Sequence, residues 1–170
     1  QATTIKKGLE SFSDDSKISI ISCDNGYIID ENELNKIKKK DFDLIVWVSP
    51  NYPYAKLNPY SYGWVYYENE TIHKVSVKRI EKSDYKKAVV TGGFTFYNSD
   101  IFNQCYSALI ENNNIVNGEY YADSLVEEAL KLRLKCKLMF VNCYISWGTP
   151  KELKTFNYWK SCFDKWHSHP

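Results

Sequence analysis

The stretch KISIISCDNGYIIDENELNKIKKKDFDLIVWV, residues 17–48, indicates the fold class of this chain. Its first part, residues 18–23, is rich in β-branched residues and predicts a strand that ends in a turn at Asp24. Its last part, residues 42–48, is a continuous apolar run, which is typical of a strand buried on both faces. Between them, acidic residues from Asp30 onward and lysines eight residues later indicate a helix with correctly charged ends.

The order strand, helix, strand predicts parallel strands joined by a right-handed crossover, with helices on the faces of the sheet. We therefore expect one α/β domain over residues 1–170 with a mixed, mainly parallel sheet. Downstream, we expect a hairpin, a strand interrupted at Gly92, a helix capped by Asp123, a last strand and a final helix that begins at Pro150. The predicted ranges are 63–67 and 71–78 for the hairpin, 89–97 and 138–145 for the strands, and 101–111 and 124–134 for two helices.

Composition limits the classes of function. The 170 residues are 44% hydrophobic, and 22 Lys and Arg against 21 Asp and Glu give a net charge of +1. Such a chain buries a real core, and it has no bulk charge that would attract nucleic acid. Its five cysteines contain no C-x-x-C pair, which argues against a zinc knuckle. With no membrane-length apolar run and no signal sequence, we expect a soluble, cytoplasmic protein.

Two residues stand out by position. Asp24 follows a predicted strand, and ligands of open α/β sheets sit outside the carboxyl ends of strands. Its carboxylate is therefore a candidate ligand for Mg²⁺, although a simple Asx-turn explains it as well. Lys78 ends a hairpin strand, where it either binds a phosphate as a point charge or belongs to a solvated run of charges.

Seven segments, in this order, resemble the sugar-phosphate nucleotidyltransferase family over residues 1 to about 160. They are residues 1–4, 20–24, 62–65, 75–78, 91–96, 117–123 and 147–150. The resemblance implies a Rossmann-like, three-layer nucleotide-diphospho-sugar transferase fold. It also implies the activity: an NTP and a sugar 1-phosphate react to give an NDP-sugar and pyrophosphate, with Mg²⁺ as cofactor. A role in surface polysaccharide biosynthesis, such as that of a capsule, would follow.

The resemblance also assigns residues by position. Asp24 matches the acid that ligates Mg²⁺, and Lys78 matches a lysine that reaches the sugar phosphate; we take both as catalytic. The remaining matches are contacts: Gln1, Ala2 and Thr3 on the nucleotide, and Gly63, Gly92, Glu119 and Trp147 on the sugar side.

Two features depart from the family pattern. The family begins with a Gly-rich G-x-G-x-R loop that cradles the triphosphate, and the chain begins after that position, so it corresponds to the C-terminal two-thirds. A second metal ligand, usually an Asp before the Gly-Thr motif, is replaced by Ser146 and Trp147. We therefore expect the isolated chain to be inactive and the parent protein to be the enzyme.

Three functions remain open. The first is nucleotidyl transfer, with an NTP and a phosphorylated sugar as partners. The second is a non-catalytic module that binds the sugar phosphate or the nucleotide. The third, a glycosyltransferase of similar architecture, would need a D-x-D metal motif at its site and is disfavoured. The many aromatic residues also suit a homo-oligomer interface.

Overall fold

A computed structural model describes residues 1–11, 16–39 and 41–168. The helices are α1 (Ala2–Leu9), α2 (Glu31–Lys38), α3 (Pro53–Leu57), α4 (Ser99–Glu111), α5 (Ala122–Lys131) and α6 (Pro150–His167). The strands are β1 (Ile18–Ile21), β2 (Asn25–Ile28), β3 (Leu44–Ser49), β4 (Trp64–Glu68), β5 (Thr71–Ser76), β6 (Lys86–Phe96), β7 (Cys136–Phe140) and β8 (Cys143–Ser146). A short 3₁₀ turn, Pro59–Ser61, precedes β4.

Six strands form the main sheet, in the order β5-β4-β6-β3-β7, and β1 also pairs with β6. Along one side of β6, β4 takes the first part of the strand and β1 takes the last, with Ile21 opposite Gly93. Strand β3 pairs with the other side of β6. The long strand β6 therefore fixes the positions of β1, β3 and β4 relative to one another.

The mixed α/β architecture is confirmed, but the expected dominance of parallel pairing is wrong for the described residues. Only β3 and β7 pair in parallel, whereas every other pairing in the main sheet is antiparallel. Strands β1 and β3 do run in the same direction, as the strand, helix, strand order requires. They do not touch because β6 lies between them and is antiparallel to both.

Apolar layers cover both faces of the sheet. Helices α1, α4 and α5 pack on one face, and Phe102 and Leu109 of α4 and Leu125 of α5 are fully buried against it. Helix α2 and a two-stranded ribbon of β2 and β8 lie on the other side, where Trp47 and Met139 are central. Strand β3 is buried at every position, as its continuous apolar run predicts.

Three local predictions need correction. The predicted turn, residues 24–26, is confirmed at Asp24 only; Asn25 already begins strand β2, which pairs with β8 far along the chain. The predicted strand 138–145 is two strands, β7 and β8, which belong to different sheets. Asp123 does not cap α5, whose N-cap is Tyr121; Asp123 lies in the first turn.

A candidate acceptor and metal cleft

A cleft of about 310 Å³ opens beside β6 at the point where β4 and β1 separate. Its floor is formed by Val90, Thr91 and Gly92, between the part of β6 that pairs with β4 and the part that pairs with β1. The loop after β1 and the segment that leads into β4 form its rims. Ligands of α/β proteins bind at such a split, outside the carboxyl end of a strand.

Five of the predicted site residues line this one cleft: Gln1, Asp24, Gly63, Lys78 and Gly92. They come from five separate parts of the sequence, and the fold brings them together. The cleft is also lined by residues that the sequence did not single out for chemistry, namely Asp123, Glu152, Tyr62, Tyr121, Tyr144 and Ser146.

Asp24 lies on the rim and is exposed. Its main-chain carbonyl accepts a hydrogen bond from the Trp147 N–H at 3.0 Å. Its Oδ2 packs against Gly148, where an added Cβ would come within 2.5 Å. The loop after β1 and the turn before α6 are thereby fixed together, with the carboxylate left on the cleft side.

The cleft suits a Mg²⁺ ion that keeps several water ligands. Among the described residues, no three His, Cys, Asp or Glu side chains cluster as a closed metal cage. Mg²⁺ does not need such a cage, since it is commonly held by one or two carboxylates, waters and substrate phosphates. The exposed Asp24 carboxylate is suited to be that protein ligand, and the metal would neutralise phosphate charge when bound.

Lys78 is half-buried and adopts a φ of 53°, in the left-handed region that non-glycine residues rarely occupy. Its ammonium donates to the carbonyl of Ser61 and lies 5.5 Å from the centre of the Tyr121 ring. Uncommon backbone geometry of this kind costs roughly 1–3 kcal/mol and persists where surrounding contacts hold it. The contacts here hold the ammonium in the cleft.

Gly63 is needed for a different reason from the one the resemblance implies. A Cβ at this position would collide with the carboxylate of Asp123, so the space beside the glycine is filled by protein. The resemblance predicts instead that the glycine leaves room for a sugar. Gly92 is similar: it has a φ of 80°, and a Cβ there would collide with Ser22 Oγ.

Glu152 joins α6 to the cleft and was missed as a site residue. Its Oε1 accepts hydrogen bonds from the hydroxyls of Tyr52 at 3.3 Å and Tyr62 at 3.2 Å, and its Oε2 accepts from Thr149 Oγ1 at 2.9 Å. Burial raises the pKa of both tyrosines, and the charge of Glu152 raises it further. The Thr149-x-x-Glu152 capping box is readable from the sequence, but its tyrosine partners are not.

Four predicted site residues lie outside the residues that line the cleft. Ala2 is fully buried in the core, so its side chain has no open face for a nucleobase. Thr3 is exposed on α1, and Glu119 is exposed on the loop before α5. Trp147 packs against Phe156, with ring centres 5.1 Å apart.

The chain contains one D-x-D tripeptide, the motif that a glycosyltransferase would need at its site, at residues 41–43. It precedes β3, and none of its residues lines the cleft. Asp41 forms ion pairs with Lys135 and Lys137, which lower its pKa to about 2. Asp43 accepts the Lys135 N–H at 2.7 Å. The motif is thus engaged in structural contacts away from the cleft.

No family model matches the chain. Over 134 residues it is 31% identical to the bifunctional protein GlmU of Campylobacter hominis, an alignment that covers 78% of this chain and 29% of that protein.

Among the described residues, no helix is both long enough and apolar enough to cross a bilayer.

Solved structures share the fold at low sequence identity. The nucleoside-diphosphate-sugar pyrophosphorylase from Vibrio cholerae RC9 superposes with a TM-score of 0.69 at 17% identity, over 92% of this chain and 64% of that one. The inositol-1-phosphate CTP transferase from T. maritima gives a TM-score of 0.63 at 15% identity, over 88% and 56%. The chain thus spans less than two thirds of each of these proteins. It resembles the sugar-phosphate nucleotidyltransferases and has their nucleotide-diphospho-sugar transferase fold.

Proposed function

We propose that this chain forms the acceptor and metal half of a sugar-phosphate nucleotidyltransferase. In the proposed reaction, a phosphate oxygen of a phosphorylated sugar attacks the α-phosphorus of an NTP, and the bond to pyrophosphate breaks. The product is an activated NDP-sugar, of the kind that surface polysaccharide synthesis consumes. The observation that carries the proposal is the convergence of Asp24, Lys78, Gly63 and Gly92 on one cleft.

The roles follow from chemistry. Nucleotidyl transfer asks a protein mainly to position the reacting groups and to neutralise charge. In our proposal the Lys78 ammonium binds the acceptor phosphate, and Asp24 holds Mg²⁺ against the phosphates of the nucleotide. Gln1, which also lines the cleft, is the candidate nucleotide contact.

The charge balance of the cleft favours one half of the reaction. Its described lining carries three carboxylates, Asp24, Asp123 and Glu152, but a single lysine, Lys78. A triphosphate is strongly anionic and needs metal ions and several cationic groups around it. The cleft therefore suits an acceptor with one phosphate better than a triphosphate, which also keeps a non-catalytic sugar-phosphate binding module as the second candidate.

The experiment is a titration of the ¹⁵N-labelled chain with a panel of hexose 1-phosphates and inositol 1-phosphate, followed by NMR. We expect saturable shifts of Gly63 and Gly92, which Lys78→Ala weakens ten- to hundredfold, because a charge-assisted contact contributes about 1.5–3 kcal/mol. Lys74→Ala is the matched control, since Lys74 lies on β5, the strand that leads to Lys78, and pairs with Glu81 instead. Equal binding by the wild type, Lys78→Ala and Lys74→Ala, or shifts confined to residues outside the cleft, would refute the proposal.

A further inference from the structure

Asp123 is a carboxylate of the cleft to which the described residues donate no hydrogen bond. It lines the cleft and is half-buried, and it accepts no hydrogen bond within the described parts of the chain. Burial raises its pKa to about 6, while the charge of Lys78 acts in the opposite direction. A half-buried carboxylate is partly withdrawn from water, and without a donor from the protein this costs the fold free energy, which points to a ligand that supplies the donor.

Lys78 faces the same space with unused donors. An ammonium has three N–H groups, and the carbonyl of Ser61 accepts one of them. The charges of Lys78 and Asp123 interact, yet the Lys78 ammonium lies more than 4.0 Å from the Asp123 carboxylate oxygens. A ligand group that lay between the two side chains would meet a hydrogen-bond acceptor, Asp123, on one side and a donor, Lys78, on the other.

The chemistry of that position selects its occupant. A phosphate oxygen only accepts hydrogen bonds, and the carboxylate would repel it. A hydroxyl can donate to Asp123 and accept from Lys78 at the same time. Resting on the proposed function, we infer that Asp123 and Lys78 bind one hydroxyl of the phosphorylated acceptor, and that Asp123 is a specificity-determining residue for polyhydroxylated acceptors.

Gly63 fixes where the Asp123 carboxylate points. Because a Cβ at this position would collide with Oδ2, Gly63→Ala should turn the carboxylate away from its present direction. The glycine has no left-handed φ, so the alanine causes no backbone strain there. This variant moves the charge of the Asp123 carboxylate without removing it. It therefore tests whether the direction of the carboxylate matters, separately from whether a carboxylate is present.

The experiment compares the tightest-binding hexose 1-phosphate or inositol 1-phosphate, its monodeoxy analogues and methyl phosphate on the full chain by calorimetry. We expect Asp123→Asn to weaken the polyhydroxylated ligand ten- to hundredfold and to leave methyl phosphate unchanged or tighter. One monodeoxy analogue should bind the wild type and Asp123→Asn equally. Glu127→Gln is the control, since Glu127 lies on the same helix and pairs with Lys131.

Gly63→Ala should show the same selective loss, and adding Asp123→Ala to it should cause no further loss. Unchanged affinity in Asp123→Asn, or an equal loss for methyl phosphate, would overturn the inference while leaving the proposed function intact. Absence of any binding of these ligands to the wild type would overturn the proposed function and the inference with it.

Discussion

The carboxylate of Asp24 packs against the backbone of Gly148, so that a Cβ at residue 148 would lie 2.5 Å from Oδ2. This contact joins the end of β1 to the start of α6 and determines where the candidate metal ligand lies. Because Asp24 is exposed and its carboxylate is the movable end of a short side chain, a substitution at Gly148 should displace the carboxylate without unfolding the protein.

We predict that Gly148→Ala weakens divalent-cation binding at the cleft and changes the free energy of unfolding by less than about 0.5 kcal/mol. Mn²⁺, used as a paramagnetic substitute for Mg²⁺, should broaden the backbone signals of Asn25 in the wild type at lower concentrations than in the variant. Gly8→Ala is the control, since no atom of the described residues lies within 4 Å of a Cβ at that helix position. Identical Mn²⁺ profiles for Gly148→Ala and wild type would show that the contact does not position Asp24.

Asp123→Asn should reveal a pH-dependent cost of the buried carboxylate. Its pKa in the folded state is raised from 3.8 to about 6, so its protonated form stabilises the fold below pH 4, and this contribution is lost as the pH rises through 6. Relative to the variant, the wild-type free energy of unfolding should therefore fall by about 2 kcal/mol between pH 4 and pH 7. Urea unfolding across this range measures it, and parallel pH curves for the two proteins would contradict it.

The Asp123 and Gly63 contact also shows where prediction from sequence ends. The apolar run that forms β3 revealed its burial, because a strand covered on both faces needs apolar residues at every position. The capping box of α6 can also be read from the sequence, because its two residues, Thr149 and Glu152, lie only three positions apart. By contrast, the insertion of β6 between β1 and β3 and the approach of Asp123 to Gly63 depend on pairings between distant segments, which no local pattern encodes.

Glu152→Gln should loosen α6 from the cleft. The variant loses the charge that accepts hydrogen bonds from Tyr52, Tyr62 and Thr149, and we expect a loss of about 1–2 kcal/mol in the free energy of unfolding. The pKa of both tyrosines should also fall, because the charge of Glu152 now raises it. Ultraviolet titration of the phenols and thermal unfolding measure these effects. The exposed Glu119→Gln serves as the control, and equal behaviour of the two variants would contradict the account.

The chain by itself should release no pyrophosphate above background with any pair of NTP and sugar phosphate. The described cleft offers one lysine against three carboxylates, so it lacks the cationic groups that hold a triphosphate in line for attack. A coupled pyrophosphate assay over the four NTPs measures this. Robust turnover that depends on Lys78 would show that the cleft is sufficient and that the charge argument is wrong.

The most direct test of the account is whether metal and acceptor occupy the same cleft. Relaxation of the ³¹P signal of a bound sugar 1-phosphate by Mn²⁺ reports this, because the effect falls steeply with distance. We expect strong enhancement in the wild type, its loss in Asp24→Asn, where the metal ligand is gone, and its loss in Lys78→Ala, where the acceptor contact is gone. Enhancement that persists unchanged in Asp24→Asn, or a bound acceptor that Mn²⁺ does not relax in the wild type, would contradict it.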